Sequence, residues 1–292
     1  MWGEVVPRRA PPAHRSAYAA GMALPPPAPD RTCLVTGASS GIGAEIAKAL
    51  AGRGLGVTLV ARREDKLTAL AAELADAHGV RAEVLAADLS DEAARAGLVA
   101  RLADLGLDVD VLVNNAGFTT MGPVHESDPA DELMMIRTNV EAVAHLCSLF
   151  LPGMVERGRG AVLNVASVGA FQPLPGQAGY AASKAFVLSY SHGIRTELVG
   201  TGVTVTMLCP GPVRTGFAEV AGLSDDEAVG ALPEFMWETA EKVAADAVEG
   251  MDKDKGVVIP GVANRVGAVG GYLLPKRLLL PILARQHPAL KK

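Results

Sequence analysis

The stretch Thr36-Gly37-Ala38-Ser39-Ser40-Gly41-Ile42-Gly43 decides the fold of this chain. It follows a short apolar run and precedes an Ala-rich segment that favours a helix. Glycine allows a tight turn at such a junction, and the backbone N–H groups at a helix start can approach a phosphate. The stretch therefore predicts a phosphate-binding turn, although a plain strand-to-helix turn has a similar composition.

The same alternation of a short apolar run and a longer helix-forming segment repeats along the chain, as expected for parallel strands joined by helices. We expect strands at about 32–36, 57–61, 82–87, 109–113, 161–166, 203–208 and 256–259. We expect helices near 42–53, 64–78, 91–104, 129–157, 179–199 and 239–250. The predicted fold class is α/β: a single doubly wound, Rossmann-like domain with a predominantly parallel seven-stranded sheet. Such a sheet binds ligands at the carboxyl ends of its strands.

The two ends of the chain differ in composition from residues 31–261, to which we assign the Rossmann-like domain. Residues 1–30 contain seven prolines and no apolar stretch of the length that a secretory signal needs, so we expect a disordered leader. Residues 262–292 form a tail that mixes leucines with basic residues. Charges and prolines interrupt the tail before it reaches the ~20 apolar residues that span a bilayer. It either packs on its own domain or a sister subunit, or lies on a membrane surface.

Charge and cysteine content exclude several classes of function. Acidic residues outnumber basic ones by 32 to 27, and no basic cluster follows aromatic residues, so nucleic acid is not an expected partner. Cys33, Cys147 and Cys209 are far apart in apolar segments, which is typical of reduced core cysteines in a cytoplasmic protein. Neither the cysteines nor the histidines show metal-ligand spacing, so no metal is expected.

Arg62 and Arg63 follow the second predicted strand. Dinucleotide-binding folds that use NAD place an acidic residue there, on the ribose hydroxyls. An arginine instead offers a charge-assisted contact to the 2′-phosphate of NADP. The position, and Arg62 above all, therefore favours NADP(H) as the cofactor. The alternative is that both arginines are solvated and pair with Glu64 or Asp65.

Tyr180 and Lys184 lie four residues apart in YAASKAF, at the start of a predicted helix, so their side chains project from one face. A free tyrosine titrates near pH ~10, and a neighbouring ammonium favours the phenolate. We therefore expect Lys184 to lower the pKa of Tyr180 toward the range of a general acid or base. Ser167 ends the preceding strand, where its hydroxyl can bind the substrate oxygen that the tyrosine protonates.

Five motifs occur in an order that is typical of one family. They are TGASSGIG at 36–43, Asp88 after the third strand, Asn114-Asn115-Ala116-Gly117 after the fourth, Ser167 with Tyr180-x-x-x-Lys184, and Pro210-Gly211-Pro212-Val213-Arg214-Thr215 after the sixth. Over residues 31–260 the chain resembles the short-chain dehydrogenase/reductase family, in its compact form with TGxxxGxG spacing.

The resemblance implies a role for each matching residue. Tyr180 would be the acid/base, Ser167 would orient the carbonyl, and Lys184 would lower the tyrosine pKa and hold the nicotinamide ribose. Asn139 resembles the family's helix asparagine, which supports a water-linked proton relay through Lys184; a buried asparagine satisfied by backbone is the alternative. Further cofactor contacts are implied for Gly37, Ser39, Ser40, Gly41, Ile42, Gly43, Arg62, Arg63, Asp88, Asn114, Ala116, Gly117, Pro210, Gly211, Val213 and Thr215.

Two loops, 168–179 and about 216–240, set substrate specificity in the family that the chain resembles. Both are rich in apolar residues, which favours a lipophilic cleft, although an amphipathic lid packed on the sheet has the same composition. The apolar residues are Val168, Phe171, Leu174, Phe217, Val220, Leu223, Leu232, Phe235, Met236 and Trp237. From Gly216 to Glu241 there are seven acidic residues and no basic one, so an anionic substrate would find no partner there.

These observations predict an oxidoreductase that transfers a hydride between NADP(H) and a neutral, lipophilic ketone, aldehyde or secondary alcohol. The resemblance makes 3-oxoacyl- or hydroxysteroid-like compounds plausible substrates. It also implies a homodimer or homotetramer, built through the helices at 129–157 and 179–199. The alternative function is an NADP(H)-binding sensor or scaffold protein with little turnover.

Overall fold

A computed structural model describes residues 24–215, 233–286 and 290. Seven parallel strands form its main sheet, in the order β3-β2-β1-β4-β5-β6-β9. These strands are β1 (Arg31–Thr36), β2 (Val57–Ala61), β3 (Ala82–Ala86), β4 (Asp108–Asn114), β5 (Gly160–Val165), β6 (Val203–Leu208) and β9 (Val257–Val258). Strands β7 (Val213–Arg214) and β8 (Glu238–Thr239) form a separate ladder. The predicted fold class is confirmed, with each expected strand within two residues of its place.

Helices cover the sheet on both sides. They are α1 (Gly41–Ala51), α2 (Glu64–His78), α3 (Glu92–Asp104), α4 (Pro129–Ile136), α5 (Ala142–Glu156), α6 (Ala178–Glu197), α7 (Ala240–Asp252), α8 (Val262–Leu273) and α9 (Lys276–Gln286). Local sequence explains some of their starts: Asp91 and Asp128 each accept a hydrogen bond from the backbone two residues on, as helix N-caps do. One π turn, Arg137–Glu141, interrupts the helix predicted over 129–157. Helices α8 and α9 lie in the predicted tail.

The core consists of two apolar layers because neighbouring strand residues point to opposite faces of the sheet. Val35 packs with Ile46 and Val243 on the side of α1, α2 and α7. Leu34 packs with Leu146 and Leu98 on the side of α3, α5 and α6. The three cysteines are buried and free, as predicted. The two filled layers leave the strand ends as the place for ligands.

The segment just before β1 belongs to the fold. Leu24 is only 4% exposed and joins the layer that contains Val35. Leu24, which was expected to belong to a disordered leader, therefore packs on the domain; residues 1–23, on which most of that prediction falls, lie outside the described part of the chain. Among the described helices, none is both long enough and apolar enough to cross a membrane.

Candidate active site

The strand order reverses between β1, which continues to β2, and β4, which continues to β5. Loops that leave the carboxyl ends of these strands in opposite directions open a crevice there. Each of the five sequence motifs lies at the carboxyl end of a strand of the main sheet: β1, β3, β4, β5 or β6. The topology thus gathers the predicted site residues at one edge of the sheet.

Thr36 and Asn115 hold the glycine turn against the loop after β4. The Thr36 Oγ1 accepts hydrogen bonds from the backbone N–H groups of Asn115 (2.9 Å) and Ala116 (3.1 Å). The Asn115 Nδ2 donates to the Thr36 carbonyl at 2.9 Å. A Cβ on Gly43 would lie 2.4 Å from both Asn115 Nδ2 and the Gly37 carbonyl, so glycine is required by this close approach. Sequence reasoning missed Asn115, although its place inside the NNAG motif was a usable signal.

Asn114, which the resemblance places near the adenosine ribose, has a buried side chain that contacts the neighbouring strand. Its side chain is 2% exposed, and its Nδ2 donates to Asn164 Oδ1 at 2.8 Å. The Asn164 Nδ2 in turn donates to Ser191 Oγ at 2.8 Å. The Asn114 Nδ2 is therefore used between β4, β5 and α6, whereas its Oδ1 is buried and has no hydrogen-bond partner among the described residues.

Gly117 lies where the loop after β4 meets α6 and the π turn. A Cβ there would lie 2.9 Å from Asn139 Oδ1 and 3.3 Å from Lys184 Nζ, so a larger residue would push these groups apart. The Asn139 amide accepts from the Phe118 N–H (3.1 Å) and donates to the Phe118 carbonyl (2.9 Å) and to Ser183 Oγ (3.1 Å). Its side chain is thus satisfied within the protein, as the alternative interpretation expected, and a relay here would have to use its backbone.

Ser167, Tyr180 and Lys184 converge at the end of β5. The Ser167 side chain hydrogen-bonds Tyr180 and also accepts from the Gly169 N–H at 3.0 Å. Lys184 is 5% exposed; its Nζ donates to the Val165 carbonyl at 2.9 Å and lies 5.8 Å from the centre of the Tyr180 ring. One turn of α6 separates the tyrosine from the lysine, as their spacing predicted.

The pKa values of this group are set mainly by burial. Desolvation raises the pKa of the Tyr180 hydroxyl, although the Ser167 hydrogen bond opposes the shift. Desolvation lowers the pKa of Lys184 to about 8; only an ionised Cys209 would oppose this shift. The lowered tyrosine pKa predicted from the four-residue spacing was therefore wrong for this structure, because desolvation of the hydroxyl outweighs its polar contacts. Sequence reasoning also missed a place for Cys209 in the site, although this residue directly precedes the Pro210-Gly211 motif after β6.

Arg63 lies on the glycine turn. Its Nε and Nη2 donate to Ser39 Oγ at 3.2 and 2.9 Å, and its Nη2 donates to Ser40 Oγ at 2.7 Å. A guanidinium beside two hydroxyls and a turn too tight for side chains fits a phosphate group. In the described part of the chain, neither Arg62 nor Arg63 forms the alternative ion pair with Glu64 or Asp65.

Arg62 lies on the side of Asp88. Burial alone would raise the pKa of the Asp88 carboxyl, but hydrogen bonds from Ser90 and the charge of Arg62 lower it. The Asp88 Oδ1 accepts from the Ser90 N–H at 2.9 Å and from its hydroxyl at 2.8 Å. The two arginines therefore face different parts of the site: Arg63 faces the glycine turn and Arg62 faces the loop after β3.

The loop after β6 closes the site from the other side. Thr215 contacts Gly41 of the turn, where a Cβ would lie 3.1 Å from Thr215 Cγ2. Gly211 packs directly on the Asn264 side chain of α8, and Val213 lies in β7. Asn264 was not singled out from the sequence, since it lies far along the chain in the predicted tail. The structure thus brings the PGPVRT motif against the glycine turn.

One apolar and one acidic side chain, Leu174 and Glu132, lie near the segments on either side of Tyr180. A Cβ on Gly169 would lie 3.1 Å from Leu174 Cδ1 and 3.8 Å from Tyr180 Cε1, so the loop after Ser167 places Leu174 beside the tyrosine. The Glu132 carboxylate touches Gly179, next to Tyr180, and accepts a hydrogen bond from Thr120. The predicted lining residues Phe217, Val220, Leu223 and Leu232 lie outside the described residues. No cluster of potential metal ligands occurs among the residues that are described.

Comparisons with known proteins agree with this geometry. Residues 31–225 match the family model described as short chain dehydrogenase. The chain is 39% identical to sulfoacetaldehyde reductase 2 of Chromohalobacter salexigens, over 68% of this chain and 79% of that protein. It is 36% identical to the very-long-chain 3-oxoacyl-CoA reductase of Anas platyrhynchos, over 71% of this chain and 68% of that protein.

Solved structures show the same fold. A short-chain dehydrogenase from Sphingobium yanoikuyae, solved in complex with NADPH, is 37% identical and superposes with a TM-score of 0.74. The match covers 82% of this chain and 92% of the Sphingobium protein. The resemblance drawn from the sequence motifs is therefore confirmed: the chain belongs to the short-chain dehydrogenase family.

Proposed function

We propose that this protein is an oxidoreductase that transfers a hydride between NADP(H) and a neutral, lipophilic ketone, aldehyde or secondary alcohol. The observation that carries the proposal is the convergence of Tyr180, Ser167 and Lys184 at the sheet edge that also holds the glycine turn. Membership of a dehydrogenase family supports the reaction class.

In the reductive direction, bound NADPH supplies the hydride. Tyr180 donates its hydroxyl proton to the carbonyl oxygen, and Ser167 donates a hydrogen bond to the same oxygen. The raised pKa of Tyr180 keeps the hydroxyl protonated at neutral pH but makes it a weaker acid, so the transfer depends on groups that stabilise its anion. The Lys184 ammonium, one turn along α6, stabilises the tyrosinate that remains after the proton has left.

The proton step is tested by replacing Tyr180 with Phe. We expect Tyr180→Phe to lower kcat for ketone reduction by roughly 10²–10⁴-fold, the usual contribution of a general acid, while NADPH binding is retained. Tyr190→Phe is the matched control, because Tyr190 lies on the same helix and stacks on Phe186 away from the site. Unchanged turnover in Tyr180→Phe would refute the assignment.

For the cofactor, Arg63 with Ser39 and Ser40 would hold the 2′-phosphate, and Arg62 would add charge from the side of Asp88. The related Sphingobium enzyme was solved with NADPH, which supports this choice. We expect Arg63→Ala to raise the KM for NADPH by at least about tenfold and to leave the KM for NADH unchanged, because only NADPH carries the phosphate. Arg81→Ala, which removes an ion pair with Glu83, is the control.

The relatives' substrates, as their names give them, range from a small sulfonated aldehyde to very long acyl-CoA compounds, so relatedness alone does not choose a substrate. The chain's own residues favour a neutral, apolar one. Leu174 lies beside Tyr180, and the Glu132 carboxylate near Gly179 opposes an anion.

A panel of NADPH-dependent reductions tests the substrate class. We expect cyclic and long-chain ketones to be reduced with higher kcat/KM than sulfoacetaldehyde or short oxoacids. Glu132→Gln should narrow this difference by raising kcat/KM for the anions, whereas Glu126→Gln, on the exposed turn before α4, should not. A preference for anions in the unaltered enzyme would contradict the proposed class.

A further inference from the structure

The larger apolar residues of helix α8 face outward, whereas a helix that packs on a domain normally turns such residues toward the core. Its inward face consists of small or polar buried residues, Asn264, Ala268 and Gly271. Its outward face carries a line of larger apolar residues at spacings of four, three and four. These form the outer stripe: Val262, Val266, Val269 and Leu273, which are 75%, 68%, 53% and 71% exposed.

Helical geometry makes the outer stripe continuous. Residues three or four apart lie on one face of a helix, so the four side chains form a single row directly opposite the buried face. The apolar surface continues into α9, where Leu278 and Ile282 are 58% and 54% exposed. Tyr272 beside the stripe is 70% exposed, and such amphipathic rings favour membrane–water interfaces. An exposed apolar surface of this extent indicates a binding partner.

The charge around the stripe identifies the chemistry of that partner. All 32 acidic residues of the chain lie before residue 255, together with 20 of the 27 basic residues. The segment 255–292 therefore carries seven lysines and arginines and no acid. Within the described part of this segment, Arg265, Lys276, Arg277 and Arg285 are exposed and none of them pairs with a carboxylate.

We propose that the outer stripe of α8, with the exposed residues of α9, docks on the surface of an anionic lipid bilayer. Apolar side chains would enter the boundary between headgroups and acyl chains, and the four cations would contact lipid phosphates. A second copy of this chain fits less well, because a two-fold contact would oppose two basic segments.

The helix that carries the docking surface packs on the active-site loops with its opposite, buried face. Gly271 of α8 packs on Gln172, in the loop that follows Ser167, and Asn264 donates to the Met236 carbonyl at 3.0 Å. A docked enzyme would thus hold its substrate loops about one helix diameter, roughly 10 Å, from the bilayer. The idea that the bilayer supplies a lipophilic substrate rests on the proposed function. The docking of the protein on the bilayer does not depend on it.

Co-sedimentation of the full chain with vesicles tests the proposal without any turnover measurement. We expect binding to vesicles that contain phosphatidylglycerol, little binding to phosphatidylcholine alone, and weaker binding at ~1 M than at ~0.1 M salt. The double variant Val266→Asp/Leu273→Asp should bind at least about tenfold more weakly, because two exposed apolar side chains no longer enter the bilayer.

Two further variants separate the contributions. Lys276→Glu/Arg277→Glu should also reduce binding to anionic vesicles by about tenfold or more. Val199→Asp, at an 81% exposed valine outside α8 and α9, should bind like the unaltered protein. Retained NADPH binding would show that each variant is folded. The proposal is overturned if the unaltered protein does not bind anionic vesicles, if it binds neutral vesicles equally, or if the stripe variant loses self-association but keeps vesicle binding.

Discussion

The central sheet has an amino edge and a carboxyl edge, where its strands begin and end. The two edges differ in whether a buried charge is paired with opposite charges. At the amino edge, the buried carboxylate of Asp110 on β4 is paired with Arg31 (3.4 Å), Arg157 (3.3 Å) and Arg159 (2.8 Å). At the carboxyl edge, the buried Lys184 ammonium has no carboxylate partner among the described residues, and its nearest acceptor is the Val165 carbonyl.

This difference distinguishes residues that mainly stabilise the fold from residues that take part in the reaction. Removal of one partner from a buried charge pair destabilises the folded chain, whereas an unpaired buried cation with a shifted pKa is itself costly and typical of a functional site. The comparison leads to the expectation that changes at the carboxyl edge alter turnover more than stability, and that changes at the amino edge do the reverse.

The largest expected effect is on turnover at the carboxyl edge. Ser167→Ala removes a hydroxyl that contacts Tyr180 and would contact the substrate oxygen, so kcat should fall by about 10²–10³-fold, equivalent to roughly 2.7–4 kcal/mol. The free energy of unfolding should change by only about 1 kcal/mol, for the lost bond from the Gly169 N–H. Steady-state kinetics and urea unfolding measure the two quantities, and Ser148→Ala on α5 is the control. The comparison would be wrong if Ser167→Ala lowered the free energy of unfolding by more kcal/mol than the fall in kcat corresponds to.

The next effect is on stability at the amino edge. Asp110→Asn removes a charge that three arginines share, and we expect the free energy of unfolding to fall by about 3 kcal/mol, less than for a wholly buried network because the arginines are partly exposed. Folded Asp110→Asn should keep its kcat. Asp108→Asn, whose carboxylate is 53% exposed and pairs with Arg157, should cost under about 1 kcal/mol. A drop in kcat at unchanged stability would contradict this division.

The smallest effect concerns the unpaired lysine and depends on pH. The folded-state pKa of Lys184 is lowered to about 8 from 10.5, so between these values the unfolded chain binds more protons. The free energy of unfolding of the unaltered protein, relative to Lys184→Met, should therefore rise from pH 8 to pH 10, by about 2 kcal/mol. Urea unfolding at several pH values measures this, with Lys66→Met as an exposed control. If the difference in free energy of unfolding between the unaltered protein and Lys184→Met did not change from pH 8 to pH 10, burial of Lys184 would carry no cost.

Much of the fold was readable from the sequence because its signals are local. Apolar runs, glycine turns and helix-forming segments depend on residues within about one turn or strand of each other, and they placed all seven strands of the main sheet. The same holds for Tyr180 and Lys184, whose four-residue spacing becomes one turn of α6. The positions after strand ends then followed from the rule that parallel sheets bind ligands at their carboxyl edges.

The details of the site depended on contacts between distant residues. Arg63 rests on Ser39 and Ser40, 24 and 23 positions away, and no local pattern distinguished it from Arg62. Asn115 reaches Thr36 across 79 positions, whereas its neighbour Asn114 turns into the core. Which of two adjacent side chains faces a site depends on the alternation and packing of a particular strand end.

The sequence by itself thus determined the doubly wound sheet, the glycine turn and the tyrosine–lysine pair, because each follows from backbone preferences and short spacings. Only the tertiary structure decided that burial raises the Tyr180 pKa, that Arg63 rather than Arg62 meets the turn, and that α8 exposes its apolar side. The reason is that desolvation, long-range hydrogen bonds and the choice of a buried helix face depend on which distant segments cover a residue. That information is set by the path of the whole chain.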